Sequence, residues 1–115
     1  MIRLGVHTSI SGGLWKAIGR ADALGCNTLQ MFCHSPRTWQ MHRHSDEDIK
    51  IFKEQFRKSD IAPVFIHCSY LINLCSPDRA VRSRSVRMLA YELETLERLN
   101  AHYLVLHPGR AVGQP

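Results

Sequence analysis

The stretch YLVLHPGR, residues 103–110, sets the problem that this sequence poses. Tyr103 and Val105 have the aromatic and β-branched character of strand residues, and Leu104 and Leu106 make the run continuously apolar. The run meets a histidine, and Pro108-Gly109 breaks the element immediately afterwards. His107 is therefore expected at the carboxyl end of a strand. In parallel α/β architectures those ends gather on one rim, where sites are built.

The same pattern recurs toward the N-terminus. IRLGV (2–6) reads as a short strand ending at His7, followed by the loop TSISGG. Leu14, Ile18, Ala21 and Leu24 fall at helical spacing, with Gly25 as a stop. NTLQMFC (27–33) reads as a second strand ending at Cys33-His34, followed by a polar loop through Pro36. Ser45 then caps a helix whose first turn, Asp46-Glu47-Asp48, suits the positive end of the helix dipole. Ile49, Phe52 and Phe56 mark its buried face. APVFIH (62–67) is the third strand, ending at His67. After SPD (76–78), a third helix is expected from about Arg79 to Asn100, with Val86, Leu89, Leu93 and Leu96 inward.

The order β-α-β-α-β-α-β predicts parallel strands joined by right-handed crossovers. It fits an open doubly wound sheet or part of a (β/α)₈ barrel. The loop after the first strand, HTSISGGL, lacks the G-x-G-x-x-G spacing of a dinucleotide site. A full barrel takes ~250 residues, and the 115 residues here supply four strands. The expected fold is α/β, roughly the first half of a TIM barrel, with residues 1–115 as that half and no second domain.

Composition bounds the function only loosely. With 44% apolar and 22% charged residues the chain is of ordinary globular character. No stretch approaches the ~20 apolar residues of a membrane span, and MIRLGVHTSI forms no signal-peptide core, so a cytoplasmic location is expected. A net charge of +5 leans toward an anionic partner. Much of that charge sits at Arg79, Arg82, Arg84, Arg87 and Arg98, either as a solvated helix surface or as a phosphate stripe. The four cysteines show no C-x-x-C spacing and read as small buried thiols.

Three strand-terminal histidines on one rim, His7, His67 and His107, suggest a metal site, because neutral imidazole on rigid strands suits zinc. His42, His44 and His102 fall in loops or near helix ends and are expected to be solvated. A metal centre that processes phosphates normally also needs carboxylates. No Asp or Glu is expected at a strand end.

These blocks resemble the endonuclease IV family of zinc-dependent apurinic/apyrimidinic endonucleases. The likeness runs along essentially the whole chain: GVHTSISGGL (5–14), MFCHSPRTW (31–39), IHCSYLINL (66–74) and LVLHPG (104–109), one per strand end. It implies that His67 and His107 hold one ion of a three-zinc cluster. It also implies that Arg37 and Tyr70 enter double-stranded DNA at an abasic site. The implied reaction is zinc-dependent hydrolysis of the phosphodiester 5′ to that site, leaving a 3′-hydroxyl and a 5′ deoxyribose phosphate.

Two positions depart from the family's pattern: Ser35, where asparagine is frequent, and Cys68, whose thiol follows a ligand. A thiolate there is expected to be a stray ligand or an oxidation site. Together with His7, these two complete the residues expected near the site. The ligands that the family draws from later strands are absent, so the chain by itself is expected not to cut DNA. It is also expected to self-associate through open sheet edges and an exposed apolar interior face. Two other readings fit the same pattern: a sugar isomerase or epimerase of this barrel superfamily, and a non-catalytic DNA-binding half-barrel. The residues Arg37, Trp39 and Tyr70 favour DNA over sugar.

Overall fold

The computed structural model describes residues 1–114. Strands β1 (Gly5–His7), β2 (Thr28–Met31), β3 (Val64–His67) and β4 (Tyr103–Val105) alternate with helices α1 (Lys16–Ala23), α2 (Asp46–Lys58) and α3 (Arg79–Leu99). All pairings are parallel and the strands lie in chain order, β1-β2-β3-β4. A doubly wound sheet reverses its order at a switch point. Here each strand is added on the same side of the last, as in a barrel wall.

Local chemistry fixes the elements. Ser45 Oγ accepts the Asp48 N–H at the start of α2, and Asp78 accepts the Ala80 N–H at the start of α3. Asn100 closes α3 in the left-handed conformation at φ 57°, which asparagine tolerates better than most residues. Gly5 must be glycine, because a Cβ there would stand 1.9 Å from the Thr28 carbonyl oxygen across the sheet. Between the sheet and the helices, Leu29, Met31, Val64 and Ile66 pack with Phe52 and Leu99, all at most 1% exposed. Each such side chain contributes about 1.5–3 kcal/mol.

The boundaries differ from the expected ones in instructive ways. β1 begins at Gly5 rather than Ile2, because the Asn27 side chain takes the Leu4 N–H in place of a ladder bond. β2 ends at Met31, so Phe32, Cys33 and His34 belong to the following loop. β4 ends at Val105, which leaves His107 two residues beyond the strand. His7 and His67 do close their strands.

The buried face of α3 is Ser85, Met88, Glu92, Thr95 and Leu99. That stripe is turned by one residue, about 100°, from the expected one, and Val86 and Leu93 are 58% and 47% exposed. The cause is polar. Ser85 Oγ accepts the Asn73 N–H, and Glu92 accepts from the rim loops, so the inward stripe is not apolar. The arginines of α3 form no single stripe: Arg82 bonds the Ser76 carbonyl, Arg98 bonds His44 and Asp46, and Arg84 and Arg87 flank Trp39.

The helix-free face of the sheet is not the apolar surface that was expected. In register it carries Gly5 beside Thr28, then His7, Gln30, Phe65 and Tyr103, then His67 beside Val105. About half of these are polar, because the positions nearest the rim serve the site. Exposed apolar side chains gather instead at the β1 edge, at Ile2, Leu4 and Leu24.

Candidate metal and nucleic-acid site

The site lies at the carboxyl ends of the strands and is assembled by four loops. The loop after β1 is held by buried Thr8, whose hydroxyl donates to the Ala17 carbonyl, and by Arg20, which bonds the carbonyls of Ser9 and Ser11. The loops after β2 and β3 are joined by Tyr70 N–H and Ser69 Oγ, both donating to the Pro36 carbonyl, at 3.1 and 2.6 Å. The loop after β4 is joined to the one before it through Asn73. Its Oδ1 accepts the N–H groups of Cys75 and Arg110, and Leu74 N–H donates to the Pro108 carbonyl. Gly109, at φ 125°, passes so close that a Cβ would lie 2.1 Å from Asn73 Oδ1. That contact sets the path of the chain beside His107.

His67 and His107 meet with their Nε2 atoms 3.2 Å apart. His67 Nδ1 lies 2.7 Å from the Cys68 carbonyl oxygen, which can only accept, so Nδ1 carries the proton and Nε2 a lone pair. Two zinc–nitrogen bonds of about 2.0–2.1 Å at a tetrahedral angle place the nitrogens about 3.4 Å apart. The donor pair therefore fits two positions on one zinc ion. Among the described residues no group of three or more His, Cys, Asp or Glu side chains could hold a metal, so the pair is the extent of that fit.

His7 stands beside this pair, its ring 6.5 Å from that of His67. The Gln30 amide nitrogen donates to His7 Nδ1, so the free Nε2 bears hydrogen and presents a donor rather than a ligand lone pair. Burial, and secondarily the charge that His67 would carry, hold His7 below the usual imidazole range. Phe32 packs between the rings of His7, His67 and Tyr70 at 4.5–5.5 Å. Sequence reasoning passed over this residue, since a phenylalanine at a strand end reads as core.

Tyr70 projects into solvent at 60% exposure, and the Arg37 guanidinium carbon sits 5.8 Å from its ring centroid. An open groove of about 640 Å³ runs between them and His7, with Phe32, Ser35 and Pro36 along it. Ser35 is exposed there and lies within reach of a ligand. A groove of similar volume between α2 and the end of α3, bordered by Lys50, Lys53 and Arg57, is remote from the rim.

Cys68 departs from its expected role. Its thiol is 2% exposed and packs with Ile72 and Met88 on the helix side of the sheet, away from the imidazoles. Burial and the nearby Glu92 carboxylate push it up to about 12, so it stays a thiol rather than a thiolate. His44 is anchored rather than solvated, whereas His102 is exposed as expected and also holds a backbone bond. His44 Nε2 donates to the Cys33 carbonyl, and His102 Nδ1 accepts the Val64 N–H with its ring stacked on Phe56. The other residue missed was Glu92. It is wholly buried on α3, where it accepts from His34 Nε2 at 2.7 Å and from Ser69 N–H at 2.9 Å. A glutamate within an apparently amphipathic helix reads as surface, and only its contacts reveal it.

Known proteins resemble this chain in sequence and fold. The profile of the xylose isomerase-like TIM barrel family matches residues 18–115. The chain belongs to that family. Within it, the likeness to endonuclease IV holds. A protein named probable endonuclease 4 from Halothermothrix orenii is 43% identical over 113 residues, covering 98% of this chain and 41% of its own length. The crystal structure of endonuclease IV from Thermus thermophilus superposes with a TM-score of 0.88 at 37% identity, covering 94% of this chain and 40% of that one. D-psicose 3-epimerase superposes at 0.66 with 17% identity over 97% of this chain and 41% of its own, which is a likeness of fold alone. The xylose isomerase-like chain thus spans about 40% of the length of the relatives it matches.

Proposed function

We propose that this chain is the N-terminal half-barrel of a zinc-dependent DNA-repair endonuclease that hydrolyses the phosphodiester 5′ to an abasic site and leaves a 3′-hydroxyl. The observation that carries the reading is the pairing of two features on one rim: His67 and His107 with Nε2 atoms 3.2 Å apart, and Arg37 set over Tyr70 beside them. His67 and His107 would hold zinc. Bound there, zinc supplies Lewis acidity and lowers the pKa of water. Arg37 reaches phosphates and stacks on bases, and Tyr70 fills the gap left by a missing base, which leads the extruded sugar toward the imidazoles. His7 offers an N–H donor along the same groove, suited to a phosphate oxygen.

A sugar epimerase of the same barrel is supported only by shared fold, and an exposed tyrosine under a guanidinium has no evident use there. The test is fluorescence anisotropy with two duplexes, one carrying a tetrahydrofuran abasic analogue and one intact, in the presence and absence of a chelator. The abasic duplex should bind more tightly. Tyr70→Ala should remove about 1–3 kcal/mol of that affinity, and Arg37→Ala should weaken it too. Zinc binding, followed by calorimetry, should be lost in His67→Ala and His107→Ala. Equal affinity for both duplexes would overturn the lesion reading. The 115-residue chain should not nick the abasic duplex, because its imidazole pair lacks further ligands among the described residues.

A further inference from the structure

Glu92 has no part in the chemistry above, yet it is 0% exposed. A carboxylate withdrawn from water is tolerated only when hydrogen bonds replace its hydration. Glu92 gains these bonds from both probing loops: His34 donates from the Arg37 loop, and Ser69 N–H donates from the Tyr70 loop. Ser69 Oγ and Tyr70 N–H then close the circuit onto the Pro36 carbonyl. Tyr70, whose N–H is part of this circuit, carries the Arg37 guanidinium over its ring.

Fold stability alone explains this arrangement poorly. Replacing both members of a buried hydrogen-bonded pair by apolar groups of the same shape can be nearly neutral or stabilising. His34 Nδ1 is moreover buried with no hydrogen-bond partner, a cost that an apolar pair would avoid. What the pair provides is a fixed direction, beyond their paired strands, for the two loops that leave β2 and β3.

We infer that Glu92 is a positioning residue for lesion recognition, locking the Arg37 and Tyr70 loops into one rigid unit so that both probes enter DNA in fixed mutual geometry. The role in recognition rests on the proposed function, whereas the lock does not. The test compares the 115-residue chain with its Glu92→Gln variant, which keeps the shape and one acceptor oxygen but removes the charge. Hydrogen exchange reads the lock: protection of the Ser69 and Tyr70 amides should fall about tenfold or more, while the amides of β2 and β3 keep theirs. Anisotropy reads the role: preference for abasic over intact duplex should fall about tenfold, with the salt dependence of intact-duplex binding unchanged. A purely structural role would instead lower protection throughout, or leave the preference intact. Either result, or unchanged loop protection, overturns the inference. A parent chain that shows no lesion preference but loses loop protection on Glu92→Gln overturns the proposed function and leaves the lock standing. If Glu92→Gln does not fold, Ser69→Ala removes the hydroxyl bond to Pro36 from the same circuit and is read the same way.

Discussion

At His67 and His107 the chemistry depends on which nitrogen carries a proton. The Cys68 carbonyl fixes that for His67, since it obliges Nδ1 to donate and leaves Nε2 bare toward His107. The backbone nearby is equally constrained. Gly109→Ala puts a methyl group against Asn73 Oδ1 at a positive φ. It should cost about 1–3 kcal/mol, measured by urea denaturation, and weaken zinc binding by shifting His107. Protonation matters again at His44, which burial holds below its ordinary value of 6.5 despite its bond to Cys33. A depressed histidine favours the fold while neutral. Its contribution is complete above 6.5 and is lost as pH falls through the lower folded value. Thermal midpoints should therefore drop as pH falls from 6.5 through that lower value, and His44→Gln, which can still donate to Cys33 without titrating, should flatten the drop. His67 was legible because a histidine that closes an apolar strand is unusual, and Arg37 and Tyr70 because their blocks resemble endonuclease IV. His44 and Glu92 were not, because what separates an anchored polar group from a solvated one is its partner, and those partners lie 11 and 58 residues away.

The elements themselves were largely legible. Ser45 with its acidic first turn and the left-handed Asn100 end their helices as the capping rules require. The facing of α3 was not, since hydrophobic periodicity assumes an apolar partner and this helix packs partly against polar loops. The difference can be measured. Met88→Ala should destabilise by about 2–5 kcal/mol, whereas Val86→Lys and Leu93→Lys should each stay within about 0.5 kcal/mol, all read from urea midpoints. The reverse ranking would restore the stripe read from sequence. The shortening of β1 has a similar origin: at the amino end of the sheet the Asn27 side chain takes the Leu4 N–H that a ladder would otherwise use.

Taken whole, the molecule is a two-layer slab. Its radius of gyration is 15.1 Å, against about 13 Å for a compact chain of this length. β1 and β4 each present an unpaired edge, and Ile2, Leu4 and Leu24 are exposed along the first. Open edges of this kind template further pairing. Sedimentation velocity should show association rising across roughly micromolar to millimolar concentrations, and a monomer throughout that range would overturn the expectation. The parallel strands could be read from strand-helix alternation, but the polar character of their helix-free face could not, because that depends on register. Barrel loops are commonly treated as interchangeable cassettes on a constant scaffold. Here the loops are laced sideways, Tyr70 to Pro36, Leu74 to Pro108 and Arg110 to Asn73. None of the loops after β2, β3 and β4 can be transplanted without its neighbours, so novelty must arrive there as a set, and that part of the rim is inherited as one indivisible trait.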